Sequence, residues 1–139
     1  MKHLRLERDP ALKDVSVEVN LLGVQDSEAN KEAVDVNQYW NRALQGQSTP
    51  GAIKLHFSPG EEDELRLRFS GTNETDRAWR SLLDKETVQT LVVISDYPRA
   101  YEAGEHDPRR RVFKLKGKSR VRLKELVLKV DRSGINTAR

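Results

Sequence analysis

The chain has 139 residues and a formal net charge of +3 at pH 7, from 25 lysines and arginines against 22 aspartates and glutamates. It contains no cysteine, which excludes a disulfide framework, thiolate metal sites and a cysteine nucleophile. No apolar run approaches the roughly 20 residues of a membrane-spanning helix.

The first predicted elements are a strand and a helix. In residues 15–21 every odd position is apolar and every even position is polar, the pattern of a strand with one buried face. Asp35 and Gln38 fit a capping box, which predicts a helix ending near Leu44, before a glycine. Trp40, within that helix, is predicted to be a core or sheet-packing residue.

Two further alternating segments, residues 53–57 and 65–69, flank a polar loop that contains Pro and Gly. This arrangement predicts a hairpin in which Leu55 lies opposite Leu67. A second helix is predicted to begin near Asp76, because Trp79 and the leucines that follow it fall on one helical stripe.

The second half of the chain is predicted to be mostly strand. Residues 91–94 are continuously apolar, and three of the four are β-branched, as in a central strand covered on both faces. Alternation predicts strands at 113–115 and 121–123, and a bulge or break near residues 124–125 precedes a last strand up to Val130. The fold class is therefore mainly β, an antiparallel two-sheet sandwich with one or two short helical insertions. We expect one domain at 14–131, with tails at 1–13 and 132–139.

Basic residues are concentrated in residues 109–124, which carry nine Lys and Arg and no acid. In a hairpin of 113–115 with 121–123, these cations oppose one another on the outer face, which is unfavourable unless anions bind. The same charges also protect strand edges from aggregation, and this interpretation stays open. The predicted basic face consists of Lys54, Arg66, Arg68, Lys114, Lys116, Arg120 and Arg122.

Loops supply a second group of candidates. Asp96 directly follows the predicted central strand, and three consecutive arginines follow Asp107 and a proline. Alternation points at least one of these arginines inward, where it needs Asp96 or Asp107 as a partner. A structural ion pair is favoured over a binding site. The loop candidates are Asp96, Arg99, Asp107, Arg109 and Arg110.

No motif of a catalytic or cofactor-binding site occurs in the sequence, neither a nucleophile elbow, a Walker loop, a zinc-protease helix nor a dinucleotide fingerprint. Residues 105–107 with Glu102 offer carboxylates and an imidazole for a divalent metal. The neighbouring Gly and Pro favour an exposed turn instead. We therefore predict a protein that is not an enzyme, with no cofactor, no metal and no small-molecule substrate.

The order of elements suggests a family. A first strand, a helical insertion reading VNQYW, a strand reading LVVISDYPR, a segment DPRRRVFKL and a closing amphipathic strand resemble bacterial extracytoplasmic β-sandwich lipoproteins, among them the type VI secretion lipoprotein. The resemblance spans most of residues 14–131 and is one of layout. It implies a transthyretin-like sandwich, tethered to the outer membrane by an acylated cysteine, that docks an inner-membrane partner through loops. The sequence lacks both the lipobox cysteine and a proline-rich segment after the first strand, so no partner-binding residue is carried over.

Two functions are predicted. The first is a non-catalytic docking or scaffold module of the bacterial envelope, periplasmic and outer-membrane-anchored in its precursor, that binds a protein partner such as a component of a secretion system. Residues 1–5 lack the apolar segment of a signal peptide, so this function requires a targeting segment or lipid anchor outside the sequence. The alternative is a cytoplasmic protein that binds nucleic acid through the basic face, with an affinity that falls steeply with salt.

Overall fold

The computed structural model describes residues 3–98, 107–115 and 125–137. Within these residues the chain forms eight strands and two α-helices, and the strands make two four-stranded sheets. The strands are β1 (His3–Arg8), β2 (Val17–Val24), β3 (Ile53–Phe57), β4 (Glu64–Arg68), β5 (Thr90–Ser95), β6 (Arg110–Lys114), β7 (Glu125–Asp131) and β8 (Gly134–Thr137), and the helices are α1 (Val36–Leu44) and α2 (Glu74–Asp84). The predicted β-sandwich with two helical insertions is confirmed.

The first sheet has the strand order β4-β1-β7-β8 and the second β3-β2-β5-β6. All neighbours are antiparallel except β1 and β7, which are parallel. The predicted hairpin is therefore wrong: Leu55 pairs with Val19 on β2, whereas Leu67 pairs with Leu4 on β1. The loop between β3 and β4 is long enough to cross from one sheet to the other, and period-2 alternation is satisfied equally well by either partner.

Both predicted tails contain strands. β1 lies inside the first sheet, between β4 and β7, and its side chains alternate between partly and fully buried. β8 lies at the edge of the same sheet and pairs with β7. Because β1 forms backbone hydrogen bonds with both β4 and β7, the N-terminal segment is an integral part of the sandwich.

The main core lies between the two sheets. Leu4 and Leu6 of β1 meet Val17, Val19 and other inward side chains of the second sheet in one buried cluster. This follows from strand alternation, since residues two apart point to the same face.

β5 is buried along its whole length, as predicted. Leu91 and Val93 belong to the main core, whereas Val92 and Ile94 pack on the opposite face in a second cluster that includes Val36 of α1. Helix α1 therefore covers part of the outer face of the second sheet.

The two helices begin at side-chain caps. The Asp35 carboxylate accepts a hydrogen bond from the Gln38 N–H at 3.0 Å, which confirms the predicted start of α1. α2 begins earlier than predicted, after Asn73, whose side chain accepts from the Asp76 N–H at 2.7 Å. Its Trp79 is fully buried in the main core, as predicted. In the described part of the chain, neither helix has the length and apolar character required to cross a membrane.

Candidate functional site

A cleft of about 700 Å³ opens on the outer face of the second sheet, beside α1. Its floor and sides come from the strands through Glu18, Asn20 and Lys54, and from the segments that follow β5 and precede β6 through Asp96 and Arg109. The remaining wall is one flank of α1, formed by Asn37, Trp40, Asn41, Ala43 and Leu44.

Two sequence periodicities create this cleft. On β2 the odd residues enter the core, so that Glu18, Asn20 and Leu22 face outward. Helix α1 packs over Leu22 at one end and leaves the Glu18 end open. On the helix, positions 37, 40, 41 and 44 share one flank because they are three or four residues apart.

Hydrogen bonds fix the walls of the cleft relative to one another. The Trp40 indole Nε1–H donates to the Ser95 carbonyl at 2.9 Å, which ties α1 to the end of β5. Asp96 and Glu18 are joined twice, since the Glu18 N–H donates to Asp96 Oδ1 at 2.9 Å and the Asp96 N–H donates to the Glu18 carbonyl at 3.0 Å. The Tyr39 and Trp40 rings meet edge to face at 5.1 Å between centroids. The cleft is therefore largely preorganised.

Asn20 is the most unusual residue of the cleft. It is only 1% exposed, and its Nδ2 donates to the Tyr39 hydroxyl at 2.7 Å. Its Oδ1 is buried and has no hydrogen-bond partner among the described residues. Burial raises the pKa of Tyr39 above 10.0 despite hydrogen bonds with Asn20 and Thr49, so the phenol stays neutral at pH 7. A buried acceptor without a donor is costly to the fold.

Arg109 makes the inward ion pair predicted from the three consecutive arginines. It is 2% exposed, and its Nε and Nη2 donate to the two oxygens of Asp107 at 2.9 and 2.6 Å. Arg110 donates to the carbonyls of Ala29 and Glu32, and burial lowers its pKa. Both arginines therefore hold loops in place.

The structure divides the predicted basic face between the two sheets. Lys54 lies on β3 of the second sheet and lines the cleft, whereas Arg66 and Arg68 lie on β4 of the first sheet. Arg66 donates to Glu64 at 3.1 Å, so its charge is partly neutralised. Lys114 lies on β6. Arg99, Lys116, Arg120 and Arg122 are outside the described residues.

Several predicted residues do come together. Lys54, Asp96 and Arg109, which are distant in sequence, line the same cleft. Trp40, predicted to be a core or sheet-packing residue, is partly buried and lines it as well. Asn20 and Leu44 were not predicted as site residues. An Asn at an even strand position has the same pattern as any solvent-facing residue. Leu44 could have been predicted, because positions 37, 40, 41 and 44 are spaced to lie on one flank of a helix.

The candidate metal ligands Glu102 and His106 lie outside the described residues. Within the ranges that the structure describes, no three His, Asp or Glu side chains are grouped closely enough to hold a metal ion.

No protein-family model matches the chain, and no curated protein matches it. The chain does match solved structures. The chain is similar to the type VI secretion lipoprotein TssJ1 from Pseudomonas aeruginosa, with a TM-score of 0.50 and 15% identity over 96% of this chain and 91% of that one. It is also similar to Lip from Serratia marcescens, a membrane-bound component of the type VI secretion system, with a TM-score of 0.55 and 14% identity over 99% and 95% of the two chains.

A third similar structure is that of the C-terminal domain of the type VI secretion protein TssM from EAEC, with a TM-score of 0.55 and 12% identity over 99% and 97% of the two chains. At these identities the similarity concerns the fold. The resemblance inferred from the order of sequence elements is thereby confirmed: the chain has a β-sandwich fold like that of the type VI secretion lipoproteins.

Proposed function

We propose that this chain is a non-catalytic docking module of the bacterial envelope that binds a protein partner within a type VI secretion membrane complex. The observation that carries the proposal is the fold similarity to two type VI secretion lipoproteins, which extends over 96% and 99% of this chain. Because one fold supports many functions, the proposal also needs a surface on which a partner can dock.

The cleft beside α1 provides such a surface. Leu44 is 87% exposed at its rim, although it is a large apolar residue. Glu18 and Lys54 provide charged side chains in the same cleft, and Trp40 adds a partly exposed aromatic ring. Exposed apolar and aromatic residues beside charged ones are typical of a protein interface. We infer that α1 and the open end of the second sheet contact the partner.

We further propose that the module is periplasmic and that its precursor is anchored to the outer membrane by a lipid on an N-terminal cysteine, as in the lipoproteins that it resembles. Fractionation of cells that express the natural gene tests this location. We expect the protein in the outer-membrane fraction with an acylated N-terminus, whereas an unmodified cytosolic protein would contradict it.

The basic residues of the 109–124 stretch are proposed to contribute to binding. Charge reversal of Lys114, Lys116, Arg120 and Arg122 replaces four positive charges by four negative ones, which lowers the net charge by eight units. If they form part of the interface, complementary charge is lost and association slows. Charge reversal of Arg66 and Arg68 is the control, since these two residues lie on β4 of the first sheet, whereas Lys114 lies on β6 of the second.

Co-purification with a candidate partner tests the docking function. The probe is the C-terminal domain of the TssM protein from the same organism, expressed with this chain in the periplasm. We expect an equimolar complex on size-exclusion chromatography. Two folded proteins that elute separately at all concentrations would overturn the proposal. If the chain instead binds duplex DNA with an affinity that falls by several powers of ten between low and moderate salt, the nucleic-acid alternative holds.

A further inference from the structure

We propose that the free edge of β3 binds an extended segment of the partner protein, which pairs with β3 as an additional strand and places a carboxylate opposite Lys54. This inference rests on the proposed docking function and specifies how the partner is held. Three observations carry it: the direction of the backbone groups of β3, their lack of partners among the described residues, and the charge of Lys54 beside the cleft.

The register of the second sheet fixes the direction in which each backbone group of β3 points. In the described part of the chain, β3 lies at the edge of this sheet and pairs only with β2. The Asp96 N–H donates to the Glu18 carbonyl, so the even residues of β2 bond to the β5 side. The direction of hydrogen bonding alternates along a strand, so the odd residues of β2 bond to the odd residues of β3. The N–H and C=O groups of Lys54 and His56 therefore point to the free edge.

These two edge residues have no backbone partner within the ranges that the structure describes. Both are exposed. The edge is closed on either side of them, because the Ala52 N–H donates to the Thr49 carbonyl at 3.2 Å and the Ser58 carbonyl accepts from Arg8 at 3.0 Å. A row of unpaired backbone groups on an exposed edge is a template for one more strand.

The charge on this edge favours an acidic segment. Lys54 lies opposite the neutral Asn20 in the pairing with β2, and it makes no salt bridge with a described residue. A strand added to the edge places one side chain directly opposite Lys54, where a carboxylate is favourable and a cation is not. β3 itself has no acidic residue, so pairing with β3 of a second copy supplies no carboxylate. The edge therefore favours a segment of a different protein.

The cleft beside α1 adjoins the same edge. Lys54 lines the cleft together with Trp40 and the exposed Leu44. A segment paired with β3 would thus run beside the apolar residues that we propose for docking, and backbone pairing and side-chain contact would act on one partner.

β4, the edge strand of the first sheet, provides a matched control. The Arg68 N–H donates to Asp76 at 2.8 Å, and the Arg68 carbonyl accepts from the Gly71 N–H at 3.1 Å, so this end of the edge is closed. By the same alternation, the backbone groups of Arg66 point to the free edge. Its guanidinium is already paired with Glu64 at 3.1 Å, unlike the charge of Lys54.

Nuclear magnetic resonance with a minimal probe tests the inference. The probe is the blocked pentapeptide Thr-Val-Glu-Val-Thr. At low salt we expect saturable shifts and slower hydrogen exchange of the Lys54 and His56 backbone amides, with a dissociation constant in the millimolar range for so short a strand. The Arg66 amide on β4 is the internal control and stays unchanged. Two control peptides, one with lysine in place of glutamate and one methylated at the glutamate nitrogen, should bind at least about threefold more weakly.

Variants establish the location. Lys54→Gln should weaken binding of the glutamate peptide by about threefold, as expected for one exposed charge pair, whereas Arg66→Gln should have no effect. His56→Pro removes an outward N–H but no bond to β2, so it should abolish binding while circular dichroism stays native. If this variant does not fold, Lys54→Gln and the methylated peptide decide. Equal binding of the glutamate and lysine peptides, no saturable change at Lys54 and His56, or a change at Arg66 instead would each overturn the inference.

The outcome is separable from that of the docking function. A TssM complex that forms while the Lys54 and His56 amides exchange as in the free protein would retain the docking function and refute pairing at β3. Peptide binding at β3 with no TssM complex would retain the strand-binding edge and refute the proposed partner.

Discussion

We expect replacement of Arg8 to lower the stability of the protein strongly. Its side chain is fully buried, and its guanidinium makes four hydrogen bonds: to Asp63 Oδ1 at 2.8 Å and to the carbonyls of Val15, Ser58 and Glu61 at 2.9, 3.0 and 3.1 Å. It also lies 5.3 Å from the centre of the Phe57 ring. One cation thus ties the end of β1 to the loop before β2 and to the loop between β3 and β4.

The cost of Arg8→Met follows from these contacts. Three carbonyls lose a donor at about 1 kcal/mol each, and the stacking on Phe57 adds about 0.5–1 kcal/mol. Asp63 remains partly exposed, so water hydrates its carboxylate and limits the loss from the ion pair. The total, about 3–5 kcal/mol, agrees with the usual effect of removing one partner from a buried pair. Arg8→Lys keeps the charge but not the fork of donors, and we expect an intermediate loss.

Urea unfolding followed by circular dichroism measures this loss. With a slope of about 2 kcal/mol per molar urea, a loss of about 4 kcal/mol lowers the midpoint by about 2 M. Arg66→Met is the control, because Arg66 and its partner Glu64 are both over 40% exposed, and we expect a change below about 1 kcal/mol. A loss below about 1 kcal/mol for Arg8→Met as well would refute the proposal that this cation holds the two loops together.

Three other predictions concern single positions. Asp76→Ala should cost about 1–3 kcal/mol in urea unfolding, because the buried carboxylate accepts from the Arg68 N–H at 2.8 Å and leaves that donor unpaired when removed. Gly23→Ala should cost about 1–3 kcal/mol, since the new methyl group would lie 2.8 Å from Val88 Cγ1, in the segment after α2, and 2.9 Å from Leu82 Cγ of α2. An unchanged urea midpoint would contradict this packing. Burial tends to raise the pKa of Asp131, but hydrogen bonds from Ser133 outweigh it and lower the pKa below 3.8. The ionised Asp131 therefore stabilises the folded state above pH 3.8, and this contribution is lost as the pH falls through the lowered pKa. Ser133→Ala should raise the Asp131 pKa in a carboxyl titration by nuclear magnetic resonance, and an unchanged pKa would refute this cause.

Strands that alternate strictly could be located from the sequence, whereas their partners could not. β3 matches the predicted segment, and β2 and β5 lie within three residues of theirs, because burial on one face leaves a local period of two and burial on both faces leaves a continuous apolar run. The pairing of Leu55 with Val19 rather than with Leu67 depends on which sheet each strand joins. That choice is made by the crossing loop and by buried groups such as Arg8, which no local pattern reveals.

β1 was missed because its alternation is short and contains charged residues. It has two leucines, and its last residue, Arg8, is a cation that occupies a fully buried position. A pattern based on polarity treats such a residue as exposed, so the strand resembles a tail. The parallel pairing of β1 with β7 joins segments at opposite ends of the chain, and only the complete fold brings them together.

The cleft could be predicted in part. Lys54, Asp96 and Arg109 were identified separately from charge and loop position, and the ion pair of Arg109 with Asp107 was expected from alternation. Their meeting point beside α1 required the sheet order. Asn20 carried no signal at all, because its burial results from Tyr39 and the helix above it rather than from its own strand.

The two faces of the second sheet therefore serve different purposes. The inner face is mainly apolar and joins the main core, so it fixes the sandwich that the chain has in common with the type VI secretion lipoproteins at 14–15% identity. On the outer face, α1 buries only the end at Leu22, Val92 and Ile94, and the polar end around Asn20 stays open. A longer apolar stripe on α1 would close the cleft and relieve the exposure of Leu44. Because α1 has no such stripe, this flank with Leu44 stays exposed, and it is the surface on which we propose that a partner docks.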